Sequence, residues 1–149
     1  MTWQEKAVRE ALTWQRTPYH SGAKIKGVGV DCGQILIAVY EAAGVLQPGE
    51  CEPGEYIHDR HLHRKEEKYL EWITRYCEPV TGEPEPGDIA MFRYGHSNSH
   101  SAIVIAWPTV LHAYVRLGVI MSNIDEVIFK DEHSRSRLQG VYRPKKVCE

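Results

Sequence analysis

Asp31-Cys32-Gly33-Gln34-Ile35-Leu36-Ile37-Ala38-Val39-Tyr40-Glu41-Ala42-Ala43-Gly44 is the stretch from which the rest of the chain is best read. Asp31 is a good helix N-cap, because its carboxylate can accept from the unbonded amides of a first turn. Cys32, Ile35, Leu36, Val39, Tyr40 and Ala43 then recur at helical spacing, the stripe of a helix buried on one face. Gly44 supplies the stop. The spacing predicts a capped helix whose buried stripe begins with a thiol.

Upstream, Trp3, Ala7, Ala11 and Trp14 mark a first helix over residues 3–14, ended at Thr17-Pro18 because the residue before proline avoids the α region. Ser21 to Val30 holds Gly22, Gly27 and Gly29 and reads as a flexible loop. Downstream, the polar residues 47–64 read as a surface excursion, an insertion spanning about 45–64. Tyr69, Leu70, Ile73, Tyr76 and Cys77 predict another amphipathic helix at about 65–77, followed by a turn-rich connector from Pro79 to Gly87. Then the period changes. Asp88–Arg93, His100–Trp107, Val110–Val115, Val119–Ile124 and Gln139–Arg143 are strand-like runs. Helices first and strands second predict an α+β domain, N-terminal helices packed on an antiparallel sheet, as one unit over residues 1–149.

Composition narrows the partners. The chain has 149 residues, 42% hydrophobic and 26% charged, which fits a globular domain and excludes a disordered one. A net charge of −2 leaves no basic excess to neutralise phosphates, so no nucleic-acid partner is expected. Apolar runs such as Ile35–Tyr40 and Ala102–Trp107 fall far short of the ~18 residues of a membrane span. Met1-Thr2-Trp3-Gln4-Glu5-Lys6 lacks a basic start followed by an apolar core, so a cytoplasmic chain without a signal peptide is expected. On that expectation Cys32, Cys51, Cys77 and Cys148 are reduced thiols, and no cofactor is called for.

Cys32 is the first candidate for chemistry. A thiol in the first turn of a helix feels the positive end of the helix dipole, which favours the nucleophilic thiolate. The Cys32 and Gly33 amides are among the orphan donors of that turn and could face an oxyanion. The competing reading is a small buried hydrophobe that opens the stripe. A cysteine nucleophile needs a base, and the base needs an orienting partner. His100 and His112 lie on two runs that a hairpin near Trp107-Pro108 would pair. Both numbers are even, so with an odd-length loop the two rings share one sheet face within reach of a hydrogen bond. Each histidine alone could equally be a satisfied polar residue at a sheet edge.

Three segments, in this order, resemble the NlpC/P60 cysteine peptidases of the papain-like superfamily. Thr17-Pro18-Tyr19…Gly29-Val30-Asp31-Cys32 is similar to the stretch leading into that family's nucleophile helix. Glu85-Pro86-Gly87-Asp88-Ile89-Ala90-Met91-Phe92 resembles its Pro-Gly-Asp strand, and Ser99–Ile105 followed by Leu111-His112-Ala113 resembles its base strand and third-residue strand. The resemblance implies Cys32 as nucleophile, His100 as general base, His112 as the orienting residue, and Tyr19 as a hydroxyl near the oxyanion. It also implies hydrolysis of peptide bonds in bacterial peptidoglycan, with stem peptides as substrate. A leaderless domain of this size resembles the phage and prophage tail-associated subgroup, which implies tail tip proteins as partners. One departure from the family pattern is the order Gly33-Gln34 after the cysteine, where a small residue and then glycine are usual.

Other readings remain open at this level. Cys–His chemistry forms a thioester whatever the leaving amine, so an amidase or another acyl transfer on the same fold fits equally. His58, His61 and His63 with Cys51 or Cys77 offer a metal module, although no paired ligand spacing supports it. A tail structural protein without activity would have no physical need for Cys32, His100 and His112 together.

Overall fold

The computed structural model describes residues 1–51, 73, 75–94 and 97–145. Both N-terminal helices form where the apolar stripes place them. Helix α1 (Trp3–Thr13) starts with the Thr2 hydroxyl accepting from the Glu5 amide, and it buries Ala7 and Ala11. Helix α2 (Cys32–Ala42) starts with the Asp31 carboxylate accepting from the Gly33 and Gln34 amides. Gly44 then takes a φ of 79°, a left-handed conformation that glycine adopts without a Cβ clash. The glycine-rich segment between the helices is more ordered than a plain loop. Strand β1 (Lys24–Ile25) pairs antiparallel with β2 (Gly29–Val30), and Val30 in turn bridges Tyr19.

Strands β3 (Cys77–Pro79), β4 (Ile89–Tyr94), β5 (Ser97–Ala106), β6 (Thr109–Tyr114), β7 (Gly118–Asn123) and β8 (Leu138–Pro144) form one antiparallel sheet in the order β3-β8-β4-β5-β6-β7. The helix expected at 65–77 falls mostly outside the described residues. Ile73, Arg75 and Tyr76 are helical, but Cys77 is not. It opens β3, because the open edge of β8 gives its backbone a ladder partner in Pro144. Of the insertion expected at about 45–64, Val45, Leu46 and Cys51 are buried in the core, and residues 52–64 lie outside the described residues.

Alternation along the strands gives the sheet two different faces. Ile89, Met91, Ile103, Leu111 and Ala113 point to one side and pack with Ile35, Leu36, Val39 and Tyr40 of α2 and with Ala7 and Ala11 of α1. Ala90, Phe92, Ala102, Val104 and Val110 point to the other, where a short 3₁₀ turn (Val127–Phe129) brings Phe129 to stack on Phe92 at 4.1 Å. His100 and His112 belong to this second face, as their parity predicts.

The parity holds for a reason the sequence did not display. Ala106 pairs with Thr109, so the connection between β5 and β6 is the two residues Trp107-Pro108, an even number. A regular ladder from that turn would put His112 on the same face as Ile103, against the helices. Instead the register shifts between Val104 and Ala106, so that Val104 faces Val110 and Ile103 faces Leu111. Ile105 is the extra residue, and it restores the odd count on which the shared face depends.

Pro86-Gly87-Asp88 has a structural task at the entry to β4. Gly87 has a φ of 91°, and a Cβ there would lie 2.8 Å from the Trp3 ring. Its carbonyl accepts from the buried Tyr40 hydroxyl at 2.8 Å. Asp88, with 0% exposure, accepts from the Glu85 amide and takes a two-pronged contact from Arg143 on β8 at 2.8 and 2.9 Å. Removing one partner of such a pair leaves a buried charge uncompensated. Arg143→Ala should lower unfolding free energy by ~2–3 kcal/mol in urea titration, at the lower end for buried pairs because the Arg143 side chain is 31% exposed. The Asp88→Ala/Arg143→Ala double variant should lose less than the sum of the single losses. Strict additivity would show that the two are uncoupled.

Candidate active site

His112 sits at the middle of a hydrogen-bonded row on the second face of the sheet. In β6–β7 pairing Val110 faces Ser122 and His112 faces Ile120, so Ser122 lies diagonal to His112 on the same side. In β5–β6 pairing the shifted register puts His100 on the opposite diagonal. The contacts follow from this placement. His100 Nε2 lies 2.7 Å from His112 Nδ1, and His112 Nε2 lies 2.9 Å from Ser122 Oγ. Aromatic rings wall the row: Phe92 and Phe129 on one side, Tyr94 and Tyr114 edge-on to His100 at 5.9 and 5.6 Å.

All three polar groups are out of water: His100 is 8% exposed, His112 0% and Ser122 3%. Burial holds His100 down to about 3, with His112 adding to the effect, and holds His112 down to about 4. Both rings are therefore neutral at neutral pH, and a neutral imidazole is the form that can accept a proton.

Cys32 begins α2, where the sequence places it, and it is partly exposed. Its carbonyl accepts from the hydroxyl of Ser101, the neighbour of His100 on β5, at 3.3 Å. The start of α2 is thereby tied to the strand that carries the histidine. Two tyrosines report the surroundings of the thiol. The Tyr19 hydroxyl is pushed well above its ordinary range by burial first, then by neighbouring Cys32 and Asp31. Tyr94 is likewise pushed up, chiefly by burial and Tyr114, with Cys32 among the neighbours that add to it. Tyr94 thus stands within the field of Cys32 and edge-on to His100. Both phenols stay protonated; Tyr94 gives its proton to the Ile128 carbonyl at 2.6 Å, which makes Tyr19 the candidate donor of the two.

The loop that brings Tyr19 here is fastened to the outer edge of the sheet. The Val119 amide donates to the Thr17 carbonyl, and the Arg16 amide donates to the Val119 carbonyl. Gly118, with a φ of 75°, permits this approach, since a Cβ would sit 2.6 Å from that Thr17 carbonyl oxygen. Asp31 closes the other side by accepting from the Gly22 amide at 2.7 Å.

One expected role is withdrawn. The Gly33 amide donates to Asp31 Oδ1 at 3.1 Å, so the N-cap uses the donor that was expected to face an oxyanion. Ser122, Tyr94 and Tyr114 are the neighbours that sequence reading missed. Ser122 shares the even parity of His100 and His112 on the next strand, a signal that was available. His58, His61 and His63 lie outside the described residues, and among the described residues no His/Cys/Asp/Glu cluster could hold a metal ion. No described helix is long and apolar enough to cross a membrane.

No protein-family profile matches the chain, and no curated protein is similar to it in sequence. Solved structures do resemble it. The NlpC/p60 domain of the peptidoglycan hydrolase SagA matches with a TM-score of 0.57 at 19% identity, covering 81% of this chain and 89% of that one. A lipoprotein-like NLP/P60 protein of Staphylococcus aureus matches at 0.65 and 17%, covering 99% of this chain and 42% of that one. NlpC2 of Trichomonas vaginalis matches at 0.66 and 12%, covering 95% of this chain and 48% of that one. The chain spans less than half the length of the last two. The likeness shows the fold: an α+β, papain-like NlpC/P60 arrangement.

The neutral, buried rings set a pH dependence of stability. Unfolded histidine titrates near about 6.5, whereas His100 and His112 do so near about 3 and 4 when folded. Between these values the unfolded chain binds protons that the folded chain refuses, so stability is full above pH ~6.5 and falls as pH drops toward ~4. Each histidine adds a slope of up to ~1.4 kcal/mol per pH unit in that window. Urea midpoints from pH 4 to 8 should show this, and the His100→Gln/His112→Gln variant should have a flatter profile. Equal slopes would exclude the assigned protonation states.

Proposed function

We propose that this chain is a cysteine peptidase of the NlpC/P60 family, acting on peptide bonds in the stem peptides of bacterial peptidoglycan. The observation that carries the reading is the 2.7 Å contact from His100 Nε2 to His112 Nδ1, in the fold of that family, on a strand whose Ser101 hydroxyl donates to the Cys32 carbonyl at the capped start of α2. The contact occupies Nε2 of His100, and the reading gives the remaining Nδ1 to the thiol. In this reading the Cys32 proton passes to His100 Nδ1 as the sulfur attacks the scissile carbonyl carbon. Tyr19 and the Cys32 amide are the donors assigned to the oxyanion. His100 then returns the proton to the leaving amine, and water attacks the thioester to free the enzyme. A phage or prophage tail setting, with tail tip proteins as partners, belongs to the same proposal. It rests on the resemblance to that subgroup and is tested by co-purification with tail particles.

An amidase shares every step up to the leaving amine. The two are separated by mass spectrometry of peptidoglycan fragments: new peptide termini support the peptidase, whereas release of the stem from the sugar supports the amidase. Undigested wall overturns both.

Cys32→Ala and His100→Ala should each abolish turnover, because nucleophile and base act as one unit. His112→Ala should cost less. His112→Gln should recover part of that loss, since an amide oxygen can accept from His100 while its NH₂ donates to Ser122. Tyr19→Phe should lower kcat by up to ~10²-fold, the effect of losing one oxyanion donor. An active Cys32→Ala would end the cysteine peptidase reading.

Thiol labelling gives an independent check. Cys51 is 3% and Cys77 2% exposed, and burial followed by Asp88 pushes the Cys77 thiol up to about 12. Brief iodoacetamide treatment at about pH 6 should therefore modify Cys32 first and Cys77 last, as read by peptide mapping. Equal modification of Cys32, Cys51 and Cys77 would contradict the assigned environment.

A further inference from the structure

We propose that Ser122 is a positioning residue that sets the proton arrangement of both histidines, a role that rests on the peptidase reading for its consequence but not for its geometry. The His112 ring has contacts at both nitrogens, to His100 at 2.7 Å and to Ser122 at 2.9 Å. A neutral imidazole has one donor and one acceptor nitrogen, so the two contacts cannot be chosen separately. If Ser122 Oγ accepts from His112 Nε2, then His112 Nδ1 carries the lone pair and must accept from His100 Nε2. His100 then has its proton on Nε2 and a lone pair on Nδ1, the nitrogen assigned to the thiol. The opposite arrangement puts the proton on His100 Nδ1 and leaves it unable to take another from Cys32. A hydroxyl can play either role toward a ring nitrogen, and the proposal assigns Ser122 the accepting one, which sets the competent form of the base two rings away.

The setting makes this choice strict. His112 and Ser122 are 0% and 3% exposed, so water does not substitute freely for a missing partner. The flanking residues are no alternative: Phe129 and Tyr114 approach the His112 ring as aromatic faces and edges at 5.0 and 5.6 Å. Ile120, which shares the face of β7 with Ser122, and Ile124, just beyond the strand in the same cluster as Phe129, are apolar. With Ser122→Ala the buried Nε2–H of His112 loses its acceptor, and moving the proton to Nδ1 keeps the bond to His100 while leaving an unpaired lone pair in place of the costlier unpaired N–H. That move reverses both tautomers.

Nitrogen-15 NMR of the histidine rings at about pH 7.5 tests the proposal on the folded protein, independent of any substrate. In the wild type both His100 and His112 should be Nε2–H tautomers, and in Ser122→Ala His112 should become Nδ1–H. Ser122→Thr keeps the hydroxyl and should keep the wild-type pattern. In activity, Ser122→Ala should lower kcat by about 10- to 100-fold with KM unchanged, milder than the ~10⁴-fold cost of removing a charged orienting group beside a catalytic histidine. Ser122→Thr should restore most of it. An Nδ1–H tautomer for His112 in the wild type overturns the proposal outright, whether or not Ser122→Ala folds. So does an unchanged tautomer pattern in a folded Ser122→Ala. Correct tautomers in a protein that cleaves no wall peptide would instead leave the relay standing and remove the peptidase reading.

Discussion

A single extra residue, Ile105, carries the geometry on which the row of polar groups depends. The Trp107-Pro108 connection is two residues long, and pairing continued from it without interruption would send His100 and His112 to opposite sides of the sheet. The register shift between Val104 and Ala106 corrects the parity. Beyond β6 no correction is needed, because β6 and β7 pair regularly from Thr109–Asn123 to Tyr114–Gly118. Ser122 therefore joins the same face by simple alternation. The row is straight across three strands, each polar group one diagonal step from the next.

The sheet supplies only half of the arrangement. In β4–β6 the helices pack on the odd-numbered face, whereas the histidines project from the even-numbered one, so α2 and the His100 ring belong to different layers. Contacts at the edge of the sheet and across to β5 fix the start of α2. Thr17 is fastened to Val119 there, Tyr19 bridges Val30, and Asp31 binds both the Gly22 amide and the first turn of α2. Ser101, on the helix side of β5, holds the Cys32 carbonyl next to the strand that bears His100 on its other side. The same Asp31 carboxylate that starts the helix takes the Gly33 amide, which commits that donor to capping.

Much of this was legible in the chain. The stripes of α1 and α2 and the Asp31 cap appear at their observed positions because local propensity and burial agree there. The five strand runs are likewise in place, since apolar alternation survives a shift of one to three residues at the ends. Cys77 was misread because a helical stripe and the first residue of an edge strand place the same apolar side chain in the core, and only the partner strand β8, remote in sequence, tells them apart. The β1–β2 pairing was hidden by its glycines, which are present for the turn and not for flexibility: Gly27 holds a φ of 79° between the two strands. The bulge was invisible for a related reason. Ile105 is apolar like its neighbours, and nothing in its identity marks it as the unpaired one.

Burial of His100 and His112 carries a chemical consequence as well as a cost. A dry pocket disfavours imidazolium, so the pair rests neutral, and a positive charge on His100 is favourable only when a negative one forms beside it. In the proposed mechanism that partner is the Cys32 thiolate. Charge separation is then coupled to the attack and is not a standing feature of the resting site. The pre-formed imidazolium that would otherwise hold Cys32 as a thiolate is absent, and the start of α2 is left as the local feature that favours the anion. Such a site depends on having the acceptor lone pair already on the correct nitrogen. With the rings almost wholly buried, that alignment falls to the protein, and in the proposed relay the row from Ser122 through His112 to His100 provides it.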